Sequence, residues 1–229
     1  MKYEIAKNSA CFQTAFENAD VLKEWLIKNQ KIIGFAMTGR SNVGKSSLIN
    51  ALLGKETARV SKTPGRTREI NVFTFKLISK GRLANNLPPL YLFDLPGYGF
   101  AEVSKEMGAN WQKLMDSFFF FNSPNLAVLN VQDARHPAQE SDLLFKKYFR
   151  TTSLRGMILF NKIDKLKTQK ERAQLEKIKP LLMKEFQNIH QMFFVSAEKS
   201  TGLEEVERSL VDFFLEKINK ENEERANQA

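Results

Sequence analysis

Gly39-Arg40-Ser41-Asn42-Val43-Gly44-Lys45-Ser46 is the stretch from which the rest of the chain is read. The apolar run Ile32-Ile33-Gly34-Phe35-Ala36-Met37-Thr38 before it has the composition of a short buried strand. After it, Ser47-Leu48-Ile49-Asn50-Ala51-Leu52-Leu53 carries apolar residues at helical spacing and stops at Gly54. Strand, glycine loop and helix form the setting in which GxxxxGK[ST] has a physical meaning. The glycines let backbone N–H groups turn inward around an anion, and the following helix points its positive end at the same place. Lys45 is then placed to reach β- and γ-phosphate oxygens, and the Ser46 hydroxyl to ligate Mg²⁺. The stretch predicts a nucleotide site.

Bulk properties bound the rest. At 229 residues, one domain with modest extensions is expected, and 42% hydrophobic with 27% charged residues is ordinary for a soluble globular chain. Cys11 is the sole cysteine, which excludes an internal disulfide and points to a reducing compartment. No apolar run approaches a membrane span, and Met1-Lys2-Tyr3-Glu4-Ile5 lacks the apolar core of a signal peptide, so a cytoplasmic protein is expected. A net charge of +9 fits an anionic partner larger than a nucleotide, RNA foremost, and equally fits a lysine-rich surface that keeps the chain soluble. There is no internal repeat, RNP-like pattern or zinc-finger pattern.

Residues 1–31 read as an N-terminal extension. Phe16, Ala19, Leu22, Trp25 and Leu26 share a helical face and predict a helix over residues 18–29, with no chemistry assigned. Residues 32–219 read as the nucleotide-binding domain, and the polar residues 220–229 as a disordered tail. Residues 58–69 are polar, basic and punctuated by Pro64 and Gly65, which suits a loop on the phosphate side of a sheet. Thr67 is the candidate second hydroxyl for Mg²⁺ and γ-phosphate sensing, with Thr63 its rival and an ordinary flexible loop the alternative.

Residues 70–78 predict a strand and residues 79–89 an extended hairpin turn. Leu90-Tyr91-Leu92-Phe93 predicts a strand buried on both faces, ending in Asp94-Leu95-Pro96-Gly97. There Asp94 can hold the Mg²⁺ shell through water, and the Gly97 N–H can bond a γ-phosphate oxygen and lose that bond on hydrolysis. Residues 95–108 are therefore expected to switch with the nucleotide. Trp111, Leu114, Met115 and Phe118 mark a helix with 118–121 as its buried end, and residues 126–131 a buried strand. His136, beside Pro137, is read as structural, since phosphoryl transfer needs no imidazole.

Met157-Ile158-Leu159-Phe160 predicts another buried strand, ending in Asn161-Lys162-Ile163-Asp164. Asp164 can accept from N1–H and the exocyclic amine of guanine together, a donor pair adenine lacks. Asn161 can bond the other edge of the base, and the Lys162 stem can lie along its face, so GTP is favoured over ATP. A charged helix over 169–186 and a strand over 192–195 follow. The strand ends in Ser196-Ala197-Glu198, where Ala197 N–H is placed for guanine O6 and Ser196 shapes the loop. A last helix runs from 203 to 218. This order predicts an α/β Ras-like P-loop GTPase fold, with a mostly parallel six-stranded sheet, helices on both faces, and the site at the sheet's carboxyl edge.

The resemblance narrows further. GRSNVGKSSLIN, SKTPGRTREIN, DLPGYGFAEVS and DARHP together resemble the EngB (YihA/YsxC) group of bacterial ribosome-biogenesis GTPases, in the TrmE–Era-like class, over residues 32–214. The resemblance implies Mg²⁺ at Ser46 and Thr67. It also implies guanine-nucleotide contacts at Gly39 to Ser46, at Gly65, Arg66, Thr67, Arg68 and Glu69, at Asp94, Leu95, Pro96 and Gly97, at 161–164, and at Ser196 and Ala197. It further implies a monomer acting in large-subunit ribosome assembly and normal cell division and septation. Three features depart from the pattern: a long segment before Ile32, an extended hairpin over 81–89, and the polar Asn130-Val131-Gln132.

Ras-like enzymes orient the attacking water with a glutamine just after DxxG, and here that place holds Tyr98. Slow intrinsic hydrolysis is expected, with the water placed by backbone, partner or cation. Asn42 either helps bind K⁺, as in TrmE-like enzymes, or merely caps the loop. Two classes of function remain: a GTPase whose nucleotide state controls docking on pre-ribosomal RNA or protein, and a guanine-nucleotide sensor in which turnover is incidental. An adenine-nucleotide kinase or ATPase is a distant third.

Overall fold

The computed structural model describes residues 2–58, 69–98, 105–145, 152, 154–185 and 189–227. Its central sheet has seven strands. Five run parallel in the order β10 (Ile189–Phe194), β9 (Arg155–Asn161), β8 (Leu126–Asp133), β3 (Gly34–Gly39) and β7 (Leu90–Asp94). The antiparallel β4 (Ile70–Phe75) follows, and then β2 (Cys11–Phe16). The sheet is thus one strand wider than the six expected. β3 and β8 lie in its middle and every residue of both is buried, which explains why both read as largely apolar, Asn130, Gln132 and Asp133 in β8 being the buried polar exceptions.

Alternate residues feed two cores. Phe35, Met37, Leu129 and Leu159 face one layer, which is closed by α2 (Lys45–Leu53) and α6 (Leu203–Ala226) through Leu48, Leu52, Leu210 and Phe214. Ala36, Val128, Ile158 and Phe160 face the other. That second layer is closed by α1 (Ala19–Lys28), α3 (Lys105–Phe120) and α5 (Gln169–Glu185) through Leu22, Leu26, Leu114, Phe118 and Leu182. Each of the Leu, Ile, Val, Met and Phe side chains taken out of water stabilises the fold by about 1.5–3 kcal/mol.

α1 forms where its periodicity predicts. The Asn18 side chain accepts from Asp20 N at 2.8 Å and Val21 N at 3.1 Å, satisfying two of the helix's open donors. Phe16 does not belong to that helix: it ends β2 opposite Ile70 and is buried in the same core. The predicted strand over 70–78 divides at Lys76. Its second half, β5 (Leu77–Ser79), leaves the main sheet to pair with β1 (Tyr3–Ile5) and β6 (Arg82–Leu83). This small sheet is tied to α6 by Ile5 N, which donates to Glu207 Oε1 at 2.7 Å. Of the four consecutive phenylalanines, Phe118 and Phe119 are buried, whereas Phe120 is 78% exposed, because α3 turns its third position outward. α6 continues through residues 220–226, read from sequence as a polar tail. Glu221 accepts from Asn125 Nδ2 at 3.0 Å and so ties that last stretch to the loop before β8.

Candidate nucleotide site

The glycine loop connects β3 to α2 at the carboxyl edge of the parallel strands. Gly44 caps α2 with φ +96°, and a Cβ there would lie 2.4 Å from Asn161 Nδ2, so both backbone and space demand glycine. Among the described residues no side chain caps α2, and its positive end faces the loop. Asn42 also sits in the left-handed region, at φ 61°. Lys45, in the first turn of α2, is buried and its Nζ bonds Asp94 Oδ1 at the end of β7.

The segment after β7 runs along the loop. Leu95 N donates to Met37 O at 3.0 Å, Tyr98 N to Gly39 O at 3.3 Å, and Ser41 N to Tyr98 O at 3.2 Å. Gly97 lies so close that a Cβ would come within 3.3 Å of Ser41 N and Oγ. Asp94 and Gly97 therefore lie against the same loop as Gly39, Ser41 and Lys45, with Leu95 bonded to the strand that leads into it. Tyr98 points the other way, into the core, and burial pushes its phenol well above the usual range.

From the far side, β9 delivers Asn161 and Lys162. Asn161 Nδ2 donates to Val43 O at 2.9 Å, and Lys162 Nζ donates to Asn42 O at 2.5 Å. Ser196 Oγ donates to Asp164 Oδ1 at 2.6 Å and, with Lys165, holds that carboxyl below its ordinary value. Ile163 N donates to Val195 O at 3.2 Å, so the two base-side loops form one unit. Ala197 N–H, expected to meet guanine O6, donates here to Asn161 Oδ1 at 3.1 Å. Gly65, Arg66, Thr67 and Arg68, with the rival Thr63, lie outside the described residues. Glu69 is half-buried just before β4.

One residue of this cluster was not anticipated. Asp133 ends β8, and its Oδ2 accepts from Lys162 Nζ at 3.1 Å and Arg135 Nη2 at 2.6 Å. Burial pushes its carboxyl up, but the bonds from Arg135 and Lys162 outweigh burial and hold it well below the usual carboxylate range. Its signal in the sequence was the position: a carboxylate at the end of a buried strand, as at Asp94.

Comparison with known proteins agrees with this geometry. The family profile described as "50S ribosome-binding GTPase" matches residues 34–162. A protein named "Probable GTP-binding protein EngB" from Xylella fastidiosa (strain 9a5c) is 38% identical over 172 residues, 75% of this chain and 79% of the relative. Its namesake from Laribacter hongkongensis (strain HLHK9) is 39% identical over 180 residues, 78% of this chain and 76% of the relative. Among solved structures, that of a probable GTP-binding protein engB superposes with a TM-score of 0.58 at 23% identity, covering 80% of this chain and 99% of its own. Aquifex aeolicus Era bound to GDP·AlF4⁻ gives 0.61 at 22% identity, covering 80% and 57%. At these identities the two structures speak to the fold.

Proposed function

The chain belongs to the EngB family of GTP-binding proteins, and on that premise we propose that it is a nucleotide-operated switch in assembly of the large ribosomal subunit, needed for normal cell division. The activity of the family is GTP hydrolysis to GDP and phosphate. The observation that carries the proposal is the convergence on one loop of Lys45 and Asp94 from one side and Asn161 and Lys162 from the other. Phosphate sensing and base recognition then share one rigid support.

In this reading Gly39 to Ser46 cradle the phosphates, Asp164 selects guanine, and the Gly97 N–H reads the γ-phosphate. The Ser46 hydroxyl at the start of α2 and the buried Asp94 carboxylate are hard oxygen donors beside the Lys45 ammonium, which suits Mg²⁺. Ser46 and Thr67 would hold the ion directly and Asp94 through water. When bound, Mg²⁺ supplies charge neutralisation at the β- and γ-phosphate oxygens. Gly65, Arg66, Arg68 and Glu69 complete the nucleotide contacts.

Turnover is slow because the side chain at the water-orienting position is a buried tyrosine. Asn42 is the candidate ligand of an activating K⁺. Hydrolysis at least about fivefold faster in K⁺ than in Na⁺ buffer is expected of that role, and equal rates would remove it. The ribosomal part of the proposal is supported by the name of the matched family and by a charge of +9. Depleting the protein in cells and separating ribosomal particles on a gradient tests it. Immature large subunits should accumulate with small subunits unaffected, and an unchanged profile would leave the sensor reading in its place.

A further inference from the structure

Tyr98, Asn130, Gln132 and Asp142 are fully or nearly buried polar groups beside the second apolar layer. They form a connected set. Tyr98 OH donates to Asp142 Oδ1 at 3.1 Å and accepts from Asn130 Nδ2 at 2.9 Å. Gln132 Nε2 donates to Asn130 Oδ1 at 2.9 Å, while Gln132 Oε1 accepts from Ala138 N at 3.0 Å. The second oxygen of Asp142 accepts from Gln139 N at 3.1 Å, at the start of α4 (Glu140–Leu144). Arg40, from the glycine loop, donates through Nε to Asp142 Oδ1 at 3.0 Å and through Nη2 to His136 O at 2.9 Å. The Tyr98 ring stacks on Phe145 with centroids 5.0 Å apart.

Burying this much polarity is unfavourable unless every group is paired, and when paired it fixes geometry more tightly than an apolar contact. What it fixes is the neighbour of Gly97. Tyr98 is bound to the glycine loop by two main-chain bonds, to Gly39 O and from Ser41 N, and Asp142 ties its side chain to Arg40 in the same loop. Residue 98 is thus held from both sides, and Gly97 is left with little freedom against Ser41.

We infer that Tyr98 and Asp142 are positioning residues that, with Arg40, lock Gly97 against the glycine loop so that its N–H is already aimed where a γ-phosphate oxygen arrives. The inference rests on the proposed contact between Gly97 and the γ-phosphate. It assigns a role to the tyrosine at the water-orienting position and to the polar Asn130 and Gln132, and it links the γ-phosphate contact to α4.

The test uses the full chain with Tyr98→Phe and Asp142→Asn. Affinities for GDP and for a non-hydrolysable GTP analogue are measured with Mg²⁺, beside thermal melting. Each variant should weaken the analogue about tenfold and GDP by no more than about twofold, and the double variant should be no worse than either single. Equal weakening of both nucleotides, or of neither, would overturn the inference, since a merely structural role does not discriminate them. Gly97→Pro, which removes the N–H itself, separates the two levels: if it does not weaken the analogue more than GDP, the γ-phosphate contact itself is withdrawn. Should the variants fail to fold, the Tyr98 ring resonances of the intact protein decide. They should be the same with GDP and with the analogue, which confines the switch expected over 95–108 to residues beyond Tyr98, and a shift to a solvent-exposed environment with the analogue would overturn the lock.

Discussion

Gly44, Ser196 and Asp133 each make a claim that a single substitution checks. Gly44→Ala places a Cβ 2.4 Å from Asn161 Nδ2 at a φ of +96°. A left-handed non-glycine costs about 1–3 kcal/mol before the clash is counted, so nucleotide binding should fall at least about tenfold with a lower melting temperature. Wild-type affinity in a titration would contradict the contact. The Asp164 carboxyl is held below its ordinary value by Ser196 first and Lys165 after it. A depressed folded value keeps the ionised form present above it and loses it only as pH falls through it. GDP binding should therefore persist into acid where an ordinary carboxylate is already protonating. Ser196→Ala should move the loss to higher pH, and superimposable pH profiles would show that the Ser196 bond is irrelevant to the base. Asp133→Asn removes the charge that faces the Lys162 ammonium, and GDP dissociation followed by stopped-flow should accelerate about tenfold. An unchanged rate would reduce Asp133 to a partner of Arg135.

At the scale of elements, the contrast between what was and was not legible has a physical cause. β3, α2, β7, β8 and β9 announce themselves because central parallel strands are apolar on both faces and the glycine loop punctuates them. β2 did not: Cys11 to Gln13 are exposed at the sheet's edge, and Phe16 suits the face of α1 as well as the end of a strand. The division of β4 from β5 was equally hidden, since apolar residues continue across Lys76 and only pairing with β1 separates them. The pairings of Asp133 with Lys162 and of Tyr98 with Asp142 were hidden for a different reason: the partners lie 29 and 44 residues apart, and single-chain periodicity carries no register at that distance. The closure of the other layer is also testable. Phe214 on α6 is wholly buried, with ring centroids 6.3 Å from Phe35 and 5.8 Å from Phe75. Phe214→Ala should cost about 3–5 kcal/mol in urea unfolding with the slope retained, whereas a loss under about 1 kcal/mol would mean that α6 closes the layer by other contacts.

At the scale of the molecule, the sheet's carboxyl edge gathers three separate stretches of chain onto one loop, and the chain as a whole carries a net charge of +9. No helix among the described residues is long and apolar enough to cross a membrane. The central claim is that the γ-phosphate, read at that edge, decides whether a ribosomal particle is held. Co-sedimentation of the intact protein with large ribosomal subunits, with a non-hydrolysable GTP analogue or with GDP across a salt series, tests it most directly. Pelleting with the analogue and not with GDP, at salt high enough to screen loose charge attraction, is the predicted result. Equal pelleting with both nucleotides, fading together as salt rises, would contradict the switch and reduce the contact to the attraction of a basic surface for RNA.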